Sequence, residues 1–390
     1  MPSTASRIVI NAPRKQPRMV HWEGELLTPS GENHRIYFEF STPDDRPYPP
    51  RSRPFLLAFL IPAMHAGAPL ELELPVDTVT LNNLMEWQEA MAAWFPQTLK
   101  VVPIHAPRDT QPERSNEPGA LTAFSGGVDS NFTARRHSRP SNPPLFRTAP
   151  LQAGLMIHGF DIALDQPAIF ESAIGRSRIM LEAYGLKTYH MRTNLRSLEK
   201  VPGCDWEKST HGAWLAAALS CYEPWFGKIL IPSTYTYPAL RFPWASNPVT
   251  DPLFSSGATA YWHDGSGHSK LNKIQTIASE PAVQQHIRVC WEGEQHDRNC
   301  GKCFKCIATQ ICFQLCGIDR PGAFPEPCTD EQVATLKVKT SQNEWLLRSM
   351  CAEAQRQGKY QIAGVLNHAL ARFNIKPPFR GLKRWALRFT

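Results

Sequence analysis

Two short runs near the N-terminus, Arg35-Ile36-Tyr37-Phe38-Glu39-Phe40 and Leu70-Glu71-Leu72-Glu73-Leu74, alternate apolar with polar residues as half-buried strands do. Between Asn82 and Phe95 the period lengthens: Leu84, Met85, Trp87, Met91, Ala92 and Trp94 are spaced for one face of a helix that Pro96 ends. Leu99 to Ile104 reads as another strand. The stretch 1–117 therefore reads as a separate α+β domain, with a polar linker from Arg108 to Pro118. Its most apolar piece, Phe55 to Met64, is about half as long as a membrane-spanning helix and is interrupted by Pro62.

From Gly119 onward strands and helices alternate. Strands are expected at Ala120–Phe124, Ala153–His158, Lys187–Met191 and Lys228–Ile231, with a fifth at Ala258–Trp262. Helices are expected up to about His137, from Pro167 to Tyr184 with Gly185 as C-cap, from Glu207 to Tyr222, and from Lys270 to Ser279. Arg139 to Pro150, with its prolines, is a loop. This order predicts an α/β fold, a parallel sheet with helices on both faces. Such sheets bind ligands beyond the carboxyl ends of their strands. One rim would then gather Ser125–Ser130, His158–Asp161, Thr193–Arg196 and Ser233–Tyr237. The remainder, 329–390, is read as helical: Trp345, Leu346, Met350 and Cys351 share a face, and Ile362–Phe373 repeats the spacing, which suits packing or a homodimer contact.

Composition narrows the function classes. A chain of 390 residues has room for two or three domains, and its net charge of +7 suits anionic ligands such as nucleotides while being too mild to favour RNA. The basic stretch from Arg372 to Arg388 reads as a solvated tail. His21, His65 and His105 stand isolated and are read as core or surface residues. No signal peptide or membrane span is evident, and ten cysteines without an export signal point to a reducing, cytoplasmic setting in which metal ligation outranks disulfides.

The chemistry concentrates at Ser125-Gly126-Gly127-Val128-Asp129-Ser130. A strand leads in and a helix leads out, so backbone N–H groups and a helix N-terminus converge on one point, a ready anion site. The glycines permit unusual backbone angles and close approach, Ser125 and Ser130 offer hydroxyls, and Asp129 is available either to hold Mg²⁺ or to cap the helix. These side chains are expected to face ligand rather than core. The hexapeptide resembles the PP-loop of the ATP pyrophosphatases, the family of asparagine synthetase, GMP synthetase, tRNA thiolation enzymes and 7-cyano-7-deazaguanine synthase. The resemblance implies a Rossmann-like PP-loop domain over 118–289, with the pyrophosphate of ATP on Ser125, Gly126, Gly127, Val128, Asp129 and Ser130 and the adenine against the backbone around Ile157, near Asp161. Catalytic roles are expected for Asp129 and Ser130, and Lys273 or Arg298 is expected to neutralise the leaving pyrophosphate.

Cys290, Cys300, Cys303 and Cys306, at C-x9-C-x2-C-x2-C spacing, can complete the tetrahedron preferred by a structural zinc ion, with Gly301 allowing the tight turn. Buried thiols, disulfides or an iron–sulfur cluster are the alternatives. A module over 290–328 is expected around them. Loop and cysteine cluster together look like the 7-cyano-7-deazaguanine synthase family, a resemblance covering about 120–325. It implies an ATP-dependent, AMP-forming C–N ligase, using Mg²⁺, that adenylylates a carboxylate of a small purine-like or other acceptor for attack by ammonia or an amine. The sequence departs from that family in its added terminal regions, in Ser233–Tyr237 with Asn247–Pro252, and at Gly159-Phe160-Asp161, so the acceptor is open. A protein partner as acceptor also fits. Two other readings are a sulfurtransferase acting on a base or RNA, for which Cys204 is the candidate nucleophile, and a non-catalytic nucleotide-binding protein.

Overall fold

The computed structural model describes residues 4–109, 119–139, 147–293, 295–338 and 340–374. Most of the expected linker at 108–118, much of the loop at 139–150 and nearly all of the basic tail lie outside the described residues. The N-terminal part contains β1 (Ser6–Ile10), β2 (Arg14–Gln16), β3 (Met19–Leu27), β4 (Asn33–Ser41), α1 (Arg53–Ala66), β5 (Leu70–Leu72), β6 (Val76–Asp77), α2 (Thr78–Trp94), β7 (Ile104–His105) and β8 (Arg108–Asp109). The alternating part follows with β9 (Ala120–Ala123), α3 (Val128–Ser138), β10 (Leu151–His158), α4 (Pro167–Ala183), β11 (Lys187–Thr193), α5 (His211–Ser220), β12 (Lys228–Pro232), β13 (Ala260–Asp264) and α6 (Lys270–Ile277). Last come α7 (Pro281–His286), α8 (Phe304–Leu315), α9 (Asp330–Ala334), α10 (Ser341–Arg356) and α11 (Tyr360–Asn374).

Among the described residues one sheet of eleven strands runs β13-β12-β9-β10-β11-β4-β3-β1-β5-β7, with β2 beside β3. The five strands from β13 to β11 are mutually parallel. In chain order they lie fifth, fourth, first, second, third, so the winding direction reverses between β9 and β12. Helices cover both faces, and the pleat sorts residues between them. Leu121, Ile229 and Ile231 enter one core with α1 and α5, while their neighbours Ala120 and Leu230 enter another with α3, α6, α8, α10 and α11.

The N-terminal segment, expected as a separate domain, continues this same sheet. Strand β4 pairs antiparallel with β11 (Met191 opposite Phe40, Thr193 opposite Phe38), and Thr193 Oγ1 donates to the Tyr37 carbonyl at 2.6 Å. Phe38, Phe40 and Phe55 share one core with Leu121, Leu155 and Ile229. Of the strand expected at Leu99–Ile104 only its last residue lies in a ladder, β7; Leu99 and Val102 are buried without strand pairing. The helix expected from Glu207 begins as a π turn over Trp206–Thr210, because the Asp205 carbonyl accepts from Thr210 N at 3.0 Å, five residues on. The fifth parallel strand sits two residues later than expected, at β13. The apolar run with Pro62 is the interior helix α1, buried from Arg53 to Met64.

Candidate functional site

Strand β9 ends at Ala123, and Phe124 N still donates to the Leu155 carbonyl at 2.8 Å, so the sheet holds the chain until it turns. Ser125 is exposed, Gly126 adopts φ +79°, and Gly127 is the N-cap of α3. The positive φ requires glycine at 126. Asn131 latches the turn from inside the helix, donating through Nδ2 to the carbonyls of Gly126 (3.1 Å) and Gly127 (2.9 Å). Ser130, only 3% exposed, donates from Oγ to the Gly127 carbonyl at 3.1 Å, so its hydroxyl braces the turn. Val128 points into the core beside Phe132.

Asp129 lies in the first turn of α3 and does not cap the helix; Gly127 occupies that position. Its carboxylate accepts from Lys273 Nζ at 2.7 Å and from Lys270 Nζ at 3.0 Å. Lys273 is 2% exposed, and its ammonium also donates to the Ser233 carbonyl (2.7 Å) and Oγ (3.0 Å), so three acceptors surround its three protons. Burial pushes the Asp129 carboxyl up, but the charges of Lys270 and Lys273 outweigh it and hold the group at about 2. Burial pushes Lys273 below the ordinary lysine range, and the Asp129 charge offsets part of that. The two lysines come from one helix face, three residues apart on α6, which starts at a Ser269–Asn272 capping box. At the far end of α3, Asp264 anchors the helix by accepting from Thr133 Oγ1 at 2.8 Å with His137 and Arg136 beside it.

A third cation closes the turn from the other side. Arg288 N donates to the Gly126 carbonyl at 2.9 Å. Its guanidinium reaches the Ser125 carbonyl (3.3 Å) and Asp161 Oδ2 (3.4 Å). Asp161 is thus joined to the loop through Arg288. Ile157 is half-buried near the end of β10, in register with Met191. Arg298 is not brought to the loop; it is 61% exposed, with its Nε 3.5 Å from Asp297. Lys270, Asn131 and Arg288 were not anticipated from the sequence. A signal for Lys270 was present, since it lies one helical turn before Lys273.

Chemically, the Ser125–Ser130 turn joins the N-terminus of an eleven-residue helix to three cations and two carboxylates, at the carboxyl end of β9 where the strand winding reverses. That excess of positive charge and N–H dipoles suits a polyanion. Both Asp129 oxygens already accept from ammonium groups, so Asp129 by itself fits Mg²⁺ poorly.

The second constellation is the cysteine cluster. The sulfurs of Cys290, Cys300, Cys303 and Cys306 all lie within 4.8 Å of one another. Cys306 Sγ is 3.4 Å from Cys290 Sγ and 3.8 Å from Cys300 Sγ, too far for a disulfide and close to the roughly 3.8 Å edge of a tetrahedral zinc–thiolate site. Backbone N–H groups of Cys300, Lys302, Cys303 and Cys306 donate to cluster sulfurs at 3.3–3.4 Å, and Gly301 makes the turn with φ +72°. Hydrogen bonds from the Cys303 and Cys306 thiols pull Cys290 far toward the thiolate, while the same contacts push Cys303 and Cys306 up. The donor set fits one soft tetrahedral cation such as zinc, and the short sulfur spacing leaves no room for a cluster of irons and sulfides. Cys303 caps α8, whose buried face joins the core of α10 and α11.

Family models, curated proteins and solved structures yield no significant match to this chain. Among the described residues no helix is long and apolar enough to cross a membrane.

Proposed function

We propose that this chain is an ATP-dependent, AMP-forming ligase of the PP-loop type, resembling the 7-cyano-7-deazaguanine synthase family. It would adenylylate a carboxylate on a small purine-like or other acceptor, release pyrophosphate, and let ammonia or an amine displace AMP. The observation that carries this reading is the Gly126–Gly127 turn opening α3 with Lys270, Lys273 and Arg288 gathered on it, at the reversal of strand order where such sheets bind ligands.

In this reading the turn amides and the Ser125 hydroxyl receive the pyrophosphate. The lysines divide their labour. Lys273, buried with its protons placed, keeps Asp129 and the helix end in position; Lys270, with 31% of its side chain exposed, swings from Asp129 to the phosphate charge that develops on the leaving group. The four-cysteine zinc site would fix the segment carrying Arg288, with no open coordination position for chemistry. The sulfur-transfer alternative gains no support: Cys204 is 6% exposed and burial pushes its thiol well up, away from the thiolate needed for attack. Incubation of zinc-loaded protein with labelled ATP, magnesium, ammonia and a panel of carboxylate and purine acceptors tests the assignment. Acceptor-dependent AMP with pyrophosphate is expected; ADP with phosphate, or no turnover with any acceptor, would overturn it.

A further inference from the structure

The nucleotide loop and the cysteine cluster are physically joined by a few residues. Arg288 stands two positions before Cys290 and holds the loop at two points, its N–H on the Gly126 carbonyl and its guanidinium on the Ser125 carbonyl, while the guanidinium also reaches Asp161 beyond β10. The same guanidinium donates from Nη1 to the His296 carbonyl at 3.1 Å, inside the segment between the first and second cysteines. Next in the chain, Val289 N donates to Asn299 Oδ1 at 2.8 Å, and Asn299 Nδ2 donates to the carbonyls of Ile287 (2.8 Å) and Ala323 (2.9 Å). Arg288 is thus gripped from both sides by the strands of chain that the cysteines close. Its side chain is 6% exposed, and Nε has no partner among the described residues although it is buried. A buried guanidinium with an unfilled donor beside an anion-directed turn is an incomplete arrangement.

We infer that Arg288 is a positioning residue that couples the two sites, so that metal in the cysteine cluster and pyrophosphate in the Ser125–Ser130 loop strengthen each other's binding. The inference rests on the anion-binding reading given above. Metal fixes Cys290 and Cys300, and through Val289 and Asn299 it fixes the direction of Arg288. Arg288 in turn sets the Ser125 and Gly126 carbonyls, hence the direction of the turn's N–H groups. Linkage requires the reverse effect to have the same size: the anion must tighten the metal.

The test uses full-length zinc-loaded protein and a chromophoric chelator that competes for the metal at equilibrium, so that the quantity read is the site's own zinc affinity, with and without saturating magnesium pyrophosphate. Pyrophosphate binding is measured separately by calorimetry. Zinc affinity is expected to rise about fivefold or more with pyrophosphate in the wild type, and to lose that response in Arg288→Ala. Arg288→Lys, which keeps the charge and the backbone bond but not the fork, covers the case in which the alanine variant fails to fold; it too should lose most of the response. Bound pyrophosphate with unchanged zinc affinity in the wild type would overturn the coupling and leave the ligase reading standing. An undiminished response in Arg288→Ala, or in Arg288→Lys, would overturn the role of this residue. A wild type that binds neither pyrophosphate nor ATP would bring down both.

Discussion

The two charge clusters are built on opposite plans. Around Asp129 each charge meets its opposite within the protein: the carboxylate takes two ammonium groups, and Lys273 takes two Ser233 oxygens as well. That cluster is held together by its own residues, and two ammonium groups on one carboxylate leave a net positive field. Around Cys290 four sulfurs face each other, with backbone N–H groups donating to them from the turn. Four thiolates this close repel one another unless a cation lies among them, so such a donor set is complete only around a metal. The first plan predicts a site that folds before it binds; the second predicts a segment that folds only as it binds.

The largest expected effect comes from breaking the second plan. Cys306, fully buried at the start of α8, contributes both a sulfur and a helix terminus to the core of α10 and α11. Apparent binding free energies of structural zinc are about 10–16 kcal/mol, comparable to a domain's entire stability. Cys306→Ser, or stripping by a strong chelator, should therefore abolish the cooperative melt of the C-terminal half, read by circular dichroism alongside metal analysis that finds one zinc per wild-type chain. A folded, zinc-loaded Cys306→Ser protein would refute the assignment, as would a brown protein carrying iron and sulfide.

Breaking the first plan costs less, but not nothing. From sequence alone Asp129 is expected to face ligand, which makes Asp129→Asn fold-neutral. In the structure that substitution leaves Lys273, 2% exposed, without its counter-charge. A loss of about 3 kcal/mol is expected from breaking such a buried pair. Denaturant titration would show it, and a Lys273→Met partner substitution should recover part of it. Equal stability of Asp129→Asn and wild type would mean that the pair is not a structural anchor.

How much of this was legible depended on how far apart the interacting residues lie in the chain. The loop at Ser125–Ser130, the five parallel strands and the four cysteines are local patterns, each compressed into a few residues, and each was readable. Strand β3 was not anticipated although Val20, Trp22 and Leu26 are buried at alternate positions, because Gly24 interrupts the apolar face; the ring of Phe55 fills the space a Cβ there would need. The pairing of β4 with β11 joins residues about 150 apart, and no periodicity records it. Arg288 was invisible for the same reason. Its partners Ser125, Asp161 and His296 come from three separate connections. Arg298 shows the converse, since this basic residue close to the cysteines in sequence stands exposed beside its buried neighbour Asp297.

Acid sharpens the contrast by a smaller amount. The Asp129 carboxyl is held at about 2 in the folded chain against an ordinary 3.8. A depressed carboxyl gives stability that is present above its unfolded pKa and is lost as pH falls through the folded one. The contribution should therefore fade between about pH 4 and pH 2, amounting to about 2 kcal/mol. Thiolate protonation also releases metal in acid, so the quantity to follow is the stability difference between wild type and Asp129→Asn at each pH. That difference should shrink across this window; a difference that stays constant down to pH 2 would show that the lysines do not hold the carboxyl down.

The smallest effect on stability is expected at Ser125, and that smallness is informative. Its side chain stands exposed at the turn, outside both cores. Ser125→Ala should change unfolding free energy by no more than about 0.5 kcal/mol, the range of surface substitutions. If the hydroxyl donates to a phosphate oxygen, the same change removes a hydrogen bond to a charged group, about 1.5–3 kcal/mol, and weakens ATP or pyrophosphate binding about tenfold or more. Calorimetric titration and a thermal melt on the same sample measure the two quantities together. A pre-folded anion site predicts lost affinity with an unmoved melt, the reverse of what a cysteine ligand shows, whose loss moves the melt first. Unchanged affinity in Ser125→Ala would take the hydroxyl out of the site, and a lowered melt would place the residue among those that hold the turn.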